Sequence, residues 1–209
     1  MMAEAPLTIA VLISGSGTTL INLVEQIEAG KLNARISIVI ASKSDCAGIP
    51  PARKAGLPCV VVERRAEADA ETFGQHVFCL CEAADAELVC MGGWLCMTPV
   101  PKRWNGRVMN IHPSLLPSFG GKGMYGHKVH EAVLNHGCKV CGCTVHFVDD
   151  SCDNGPIILQ RSCPVLDTDT PQTLAARVFA EEKLVYPEAI RLFHRKQLAT
   201  DGRRVHVKA

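Results

Sequence analysis

Leu7-Thr8-Ile9-Ala10-Val11-Leu12-Ile13-Ser14-Gly15-Ser16-Gly17-Thr18-Thr19 sets the architecture expected of this chain. Seven residues rich in β-branched side chains, closed off by glycine, read as a short buried strand. The glycine-rich turn then opens an amphipathic helix over about 20–28, which Gly30 ends. A strand, a glycine turn and a helix N-terminus together suit an anion. Glycines let the backbone approach, amide N–H groups point outward, and the helix dipole favours a phosphate. No third glycine completes a dinucleotide fingerprint and no Gly-Lys-Ser/Thr completes a P-loop, so a monophosphate fits better than a dinucleotide. A tight turn that binds nothing is the competing reading.

Downstream the same alternation recurs. Strands are expected over 35–41, 59–62, 87–91 and 107–111. Helices are expected over 47–55, broken early by Pro50-Pro51, and over 68–83, with Phe73, Val77 and Leu80 on one face. Strands alternating with helices imply an α/β fold, a three-layer Rossmann-like, mostly parallel sheet whose ligands bind at the carboxyl ends of the strands. The Gly15–Gly17 turn, Gly92-Gly93 and Asn110 to His112 all fall at such ends. A helix over 127–135, a strand over 141–148, an acidic turn over 149–155 and a strand from Pro156 to Gln160 then predict an antiparallel edge. A long helix over 171–194 closes the chain, with Leu174, Val178 and Leu184-Val185 inward. No repeat or linker interrupts it, so one domain over 1–209 is expected. Its N-terminal half, 7–105, carries the phosphate turn, and its C-terminal half, 106–209, carries the chemistry.

Composition narrows the function classes. The 209 residues are 47% hydrophobic and 21% charged, with 22 basic against 21 acidic side chains and a net charge of +1. Neither a nucleic-acid partner nor a membrane surface is suggested by that balance. The apolar runs are too short to span a bilayer, and Met1-Met2-Ala3-Glu4-Ala5 lacks a signal-peptide pattern, so a cytoplasmic protein is expected. Eleven cysteines form an odd set without a secretory signal, which argues against a disulfide framework. Cys138-Lys139-Val140-Cys141-Gly142-Cys143, flanked by His127, His130 and His136, could imitate a zinc site. No second ligand pair stands at a diagnostic distance, so reduced thiols and no metal are expected.

The chemistry concentrates in Met109-Asn110-Ile111-His112-Pro113-Ser114-Leu115-Leu116-Pro117. Positions i and i+2 of a strand face the same side, so Asn110 and His112 reach one small volume. An amide donor beside a titratable ring suits acyl chemistry, where charge builds on a carbonyl oxygen while protons move. The plainer alternative is a strand end whose Asn and His cap a turn. A carboxylate from the 149–155 turn could lie beside His112, although solvated turn aspartates are the ordinary reading of Asp149 and Asp150. The stretch 119–126, dense in glycine, is expected to be a mobile loop near the site, and Lys122 in it could meet a phosphate or simply be solvated.

These motifs together resemble the glycinamide ribonucleotide formyltransferase family, folate-dependent enzymes of purine synthesis. Ile13-Ser14-Gly15-Ser16-Gly17, Asn110-Ile111-His112-Pro113-Ser114-Leu115-Leu116-Pro117 and Gly142-Cys143-Thr144-Val145-His146-Phe147-Val148 carry the resemblance. So do Asp153-Asn154-Gly155-Pro156-Ile157-Ile158-Leu159-Gln160 and Glu182 with Tyr186-Pro187. The resemblance implies a formyl-transfer enzyme moving the formyl group of 10-formyltetrahydrofolate, a co-substrate, to the amine of glycinamide ribonucleotide. Asn110, His112 and Asp153 match the catalytic trio. Asn110 and a protonated His112 would stabilise the tetrahedral oxyanion, while Asp153 would polarise the imidazole and pass a proton by way of water. Gly15, Gly17, Thr18, Thr19 and Glu182 match substrate contacts. Leu95, Cys96, Met97 and Thr98, with Asn110, Asp149, Asp150 and Asp153, match folate contacts. Small molecules are the implied partners, no metal is implied, and a homodimer is left open. The chain departs from the family at Thr19, where asparagine is usual, at Ala70 and Cys96, where arginines are usual, and at Lys183, which replaces a histidine. Formyltetrahydrofolate deformylase and amino-sugar formyltransferase are the alternatives. A deformylase is expected to carry a further N-terminal domain, and a methionyl-tRNA formyltransferase a basic C-terminal one.

Overall fold

A computed structural model describes residues 5–149 and 151–208. The chain divides into two units, Met1–Met109 and Asn110–Ala209. The first contains strand β1 (Leu7–Ile13), helix α1 (Thr18–Glu28), β2 (Ala34–Ala41), α2 (Ile49–Lys54), β3 (Cys59–Val61), α3 (Ala70–Ala83), β4 (Leu88–Met91) and the start of β5 (Val108–His112). Strands β3, β2, β1 and β4 lie side by side in that order with every pairing parallel, and Ile9 of β1 stands opposite Ile36 and Leu88. β1 is buried along its whole length. A strand covered on both faces runs apolar almost throughout, which is why Leu7–Ile13 shows no alternation and is broken only by Thr8, whose hydroxyl accepts from the Arg35 guanidinium at 3.2 Å.

Local chemistry sets the helix starts. α3 begins at Ala70 because the Asp69 carboxylate accepts a hydrogen bond from the Thr72 N–H at 2.7 Å, a cap worth about 1 kcal/mol. Its buried stripe runs through Phe73, Val77, Phe78 and Cys81, leaving Leu80 at the margin rather than in the core as expected. α1 begins two residues earlier than expected, at Thr18, where Gly17 in a left-handed conformation (φ 73°) turns the chain into the helix.

The second unit holds α4 (His127–Asn135), β6 (Val140–Phe147), β7 (Ile157–Pro164), α5 (Pro171–His194), β8 (Leu198–Asp201) and β9 (Arg204–Val207). The strand order is β6-β7-β9-β8, with β6/β7 and β8/β9 antiparallel and β7/β9 parallel. α5 packs on β6, β7 and α4. Thr170 and Thr173 form a reciprocal capping box at its start, and Pro171 occupies a first-turn position that needs no N–H. Leu174, Val178 and Val185 face inward as expected, but Leu184 is 54% exposed, lying off the stripe that Val185 continues. The β8–β9 hairpin was not expected. Gly202-Arg203 forms the two-residue turn between the paired Asp201 and Arg204, and Gly202 takes φ 55° at its first position, where glycine is favoured. The chain therefore adopts the expected α/β class, with mostly parallel pairing and antiparallel edge strands. Among the described residues, no helix is long and apolar enough to cross a membrane.

Candidate active site

β5 places Asn110 and His112 on one side, as their spacing predicts, and the turn after β6 brings Asp153 to them. Asp153 Oδ2 lies 3.4 Å from His112 Nδ1, and Asp153 Oδ1 accepts from Asn110 Nδ2 at 3.5 Å. A fourth group joins them. His146 of β6 donates from Nδ1 to the Phe147 carbonyl at 2.9 Å, which leaves Nε2 as the acceptor for Asn110 Nδ2 at 3.2 Å. That same Nε2 stands 3.8 Å from Asp153 Oδ1.

The loop that follows β5 occupies the remaining polar atoms. His112 donates from Nε2 to the Phe119 carbonyl at 2.8 Å, and the Gly121 N–H donates to Asp153 Oδ2 at 3.0 Å. The first residues of the 119–126 stretch are thus tied to the trio instead of standing free. Lys122 is exposed. Thr144 stitches the preceding segment to β6: its Oγ1 donates to the Ser114 carbonyl at 2.7 Å and accepts from the Leu116 N–H at 3.0 Å. Gln160 of β7 adds a bond from Nε2 to the Leu116 carbonyl at 2.9 Å.

Burial and charge compete at these groups. His112 is 4% exposed, and burial, the largest influence, pulls its pKa below 6.5 against the opposing pull of the Asp153 charge and the Phe119 carbonyl. The resting ring therefore favours the neutral form, and the protonated form expected against an oxyanion would arise only as that charge develops. For Asp153, burial favours the neutral acid, but His146, His112 and the Gly121 N–H outweigh it and hold the carboxyl below its ordinary range. Asp153 itself sits at φ 52°, and the turn is anchored two residues later, where a Cβ on Gly155 would collide with the Phe147 carbonyl. His130 of α4, also 4% exposed, is pushed down to about 4 by burial and by His127 and His112. Its Nδ1 has no hydrogen-bond partner among the described residues.

The first unit presents the glycine turn. Gly15 and Thr18 are exposed. A Cβ on Gly17 would come within 2.8 Å of Gly48 Cα, so only glycine allows that close backbone approach. No side chain caps α1 at Gly17. Thr19 faces inward: it is buried, and a Cβ on Gly92 would fall 2.9 Å from its own Cβ. Position 19 thus offers an anion its backbone rather than its hydroxyl. Ser14 has a separate role, its Oγ accepting from the Ser42 hydroxyl at 2.7 Å and from the Leu95 N–H at 2.9 Å.

The expected folate contacts divide by exposure. Leu95 and Met97 are 54% and 58% exposed, an unusual display of apolar surface, and Cys96 is half-buried. Thr98 is buried, accepting from Trp94 Nε1 at 2.7 Å and donating to the Cys96 carbonyl at 2.9 Å, so it shapes the segment from within. Asp149 is exposed, with Oδ1 accepting from the Ser151 N–H and hydroxyl at 2.9 and 2.8 Å. Asp150 lies outside the described residues. Glu182, on α5, is partly exposed at its surface yet enclosed by neighbouring atoms, and that desolvation pushes its carboxyl up to about 7. Among the described residues, no group of three or more His, Cys, Asp or Glu is arranged to hold a metal.

Residues 7–190 match the family model described as formyl transferase. The chain is 36% identical over 184 residues to phosphoribosylglycinamide formyltransferase, chloroplastic, of Vigna unguiculata, covering 87% of this chain and 59% of that one. It is 40% identical over 186 residues to the trifunctional purine biosynthetic protein adenosine-3 of Bos taurus, covering 88% of this chain and 18% of that protein. The chain therefore spans about a fifth to three fifths of the length of these curated relatives. Among solved structures, glycinamide ribonucleotide transformylase 1 of Symbiobacterium toebii superposes with a TM-score of 0.92 at 39% identity, over 99% of this chain and 96% of that one.

Proposed function

Because this chain belongs to the formyl transferase family, we propose that it carries the formyl group of 10-formyltetrahydrofolate to the amine of glycinamide ribonucleotide, in purine biosynthesis. The observation that carries this reading is the cluster in which Asp153 lies 3.4 to 3.8 Å from His112, Asn110 and His146, and Asn110 lies 3.2 Å from His146. An amide N–H and an imidazole N–H on one face stabilise negative charge building on the formyl oxygen. One such donor is worth about 3–4 kcal/mol in a water-poor site. Those donors are Asn110 Nδ2 and His112 Nε2, the latter exchanging the Phe119 carbonyl for the substrate oxygen. Asp153, ionised and facing Nδ1, stabilises the ring when it takes up a proton from water as that charge develops; through water it also relays the proton leaving the attacking amine to the folate nitrogen as the carbon–nitrogen bond to the formyl group breaks.

The exposed Leu95 and Met97, with Cys96 between them, suit the flat aromatic ring of a pterin, and Asp149 and Asp150 are proposed folate contacts as well. The Gly15–Thr19 turn suits the substrate phosphate, chiefly through backbone N–H groups, and Glu182 suits a polar group of the same substrate. We propose the two units as a single formyltransferase domain acting on small molecules in the cytoplasm, without metal or nucleic acid, and able to form a homodimer. Formyl transfer by the purified protein, with and without glycinamide ribonucleotide, tests the reading. Folate release that requires the amine supports it. Release without the amine would make the protein a deformylase, and release only with an amino-sugar nucleotide would replace the acceptor.

A further inference from the structure

The β8–β9 hairpin reaches back to the turn that carries Asp153. Arg203, beside Gly202 at the hairpin's tip, donates from its guanidinium to Asn154 Oδ1 at 3.1 Å. Asn154 is the residue directly after Asp153, and its Nδ2 donates in turn to the Ser151 hydroxyl at 3.5 Å, which donates to Asp149 Oδ1 at 2.8 Å. The hairpin is anchored for this reach, because β9 pairs with β7 at Arg204 opposite Ile157, two residues beyond Gly155, and β8 covers the other side of β9 in a four-residue ladder. Residues 198–207 lie outside the 7–190 stretch that matches the family model. The hairpin thus contributes a contact to the site that the family match does not contain.

We propose that Arg203 is a positioning residue: through Asn154 it holds the left-handed turn at Asp153, and so holds the carboxylate against His112 Nδ1. The turn needs such support because a non-glycine residue at φ 52° is strained, and because four of its residues, Asp149, Ser151, Cys152 and Asn154, are exposed. The groups facing His112 are Asp153, His146 of β6 and His130 of α4, and those facing Asp153 are His112, His146 and the Cys152 thiol. Of these only Asp153 favours a charged His112, so a loosened turn removes the charge attraction and leaves the Phe119 carbonyl alone against the repulsions and burial.

This inference rests on the formyl-transfer reading, and two independent readouts separate them. Arg203→Ala, Asn154→Ala, the double variant and Arg203→Lys are compared with the unmodified protein in kcat, KM and pH–rate profile. His112 is titrated by NMR in each. Arg203→Ala is expected to lower kcat about 5-fold, the scale of one lost hydrogen bond. It should leave KM for the folate unchanged and lower the His112 titration midpoint by roughly half a pH unit. Asn154→Ala should match it, the double variant should add nothing, and Arg203→Lys should recover most of the loss. An unchanged His112 midpoint and an unchanged kcat in Arg203→Ala overturn the proposal, as does a double variant that is the sum of the singles. If the unmodified protein transfers no formyl group while the midpoint still shifts, the formyl-transfer reading falls and the positioning role stands.

Discussion

Replacing Asp153 with Asn tests the charge logic of the cluster directly. Asparagine keeps the shape and can still accept from the Gly121 N–H, so the fold is retained and only the charge is lost. In the resting protein burial keeps His112 neutral, which leaves the Asp153 charge little to attract there. The attraction appears as the ring gains a proton, with Asp153 Oδ2 only 3.4 Å from Nδ1. Two full unit charges at such a separation interact by about 5 kcal/mol at an effective dielectric of about 20, a ceiling that a partly formed charge on the ring does not reach, and each 1.4 kcal/mol or so is tenfold in rate. Because the gain is confined to the transition state, the loss belongs in kcat rather than KM. A kcat lower by about 10²- to 10³-fold is expected, with residual activity displaced to lower pH as the His112 pKa falls further. Steady-state formyl transfer over pH 5–9 measures both, with circular dichroism as the check on folding. A variant that keeps more than about a tenth of its kcat, or that loses only substrate affinity, would refute the reasoning.

Two further outcomes follow from buried titrating groups. His130 holds a proton below about 4 when folded and near 6.5 when unfolded. The unfolded state therefore binds more protons between those values, and stability should fall as pH drops from about 6.5 to 4 by on the order of 2–3 kcal/mol. Urea unfolding of His130→Gln across that range should show a flatter dependence, and an unchanged slope would remove His130 from the account. Glu182 has the opposite sign. Its carboxyl is pushed up to about 7, so it contributes stability at low pH that is lost as pH rises from the ordinary carboxylate range through 7. Glu182→Gln should raise the thermal midpoint at pH 8 relative to pH 5, and weaken glycinamide ribonucleotide binding in calorimetry; no change in either would remove both roles.

The clustering of Asn110 and His112 is legible for one geometric reason, the two-residue period that puts them on a common side. Asp153 was legible only as a carboxylate somewhere in an acidic turn, and its match to the family picked it from among Asp149, Asp150 and Asp153. His146 enters the sequence reading only within the 142–148 stretch that carries the family resemblance, without a place in the site. Its partner is Asn110 on a strand 36 positions away, and no local pattern carries that distance. Ser14 and Thr19 show the same limit in reverse. Both belong to the motif that reads as an anion turn, yet one holds the Leu95 segment and the other fills space beneath Gly92. Leu80 and Leu184 were assigned inward because they are leucines near an apolar stripe, and each lies about one residue's rotation off it. The terminal hairpin is hard to read because its strands are short and half polar, leaving Gly202 in the turn as the one local signal.

The Phe119 carbonyl on His112 and the Gly121 amide on Asp153 mean that the protein is its own first competitor. A backbone group cannot be mutated away, and it is present at an effective concentration no free ligand reaches. Any inhibitor aimed at Nε2 must evict an intramolecular rival, so its measured affinity is the intrinsic one reduced by the fraction of molecules with that carbonyl swung aside. Compounds that supply both an acceptor for His112 and a donor for Asp153 replace the pair of contacts at once, and should gain more than the sum of compounds that supply either one.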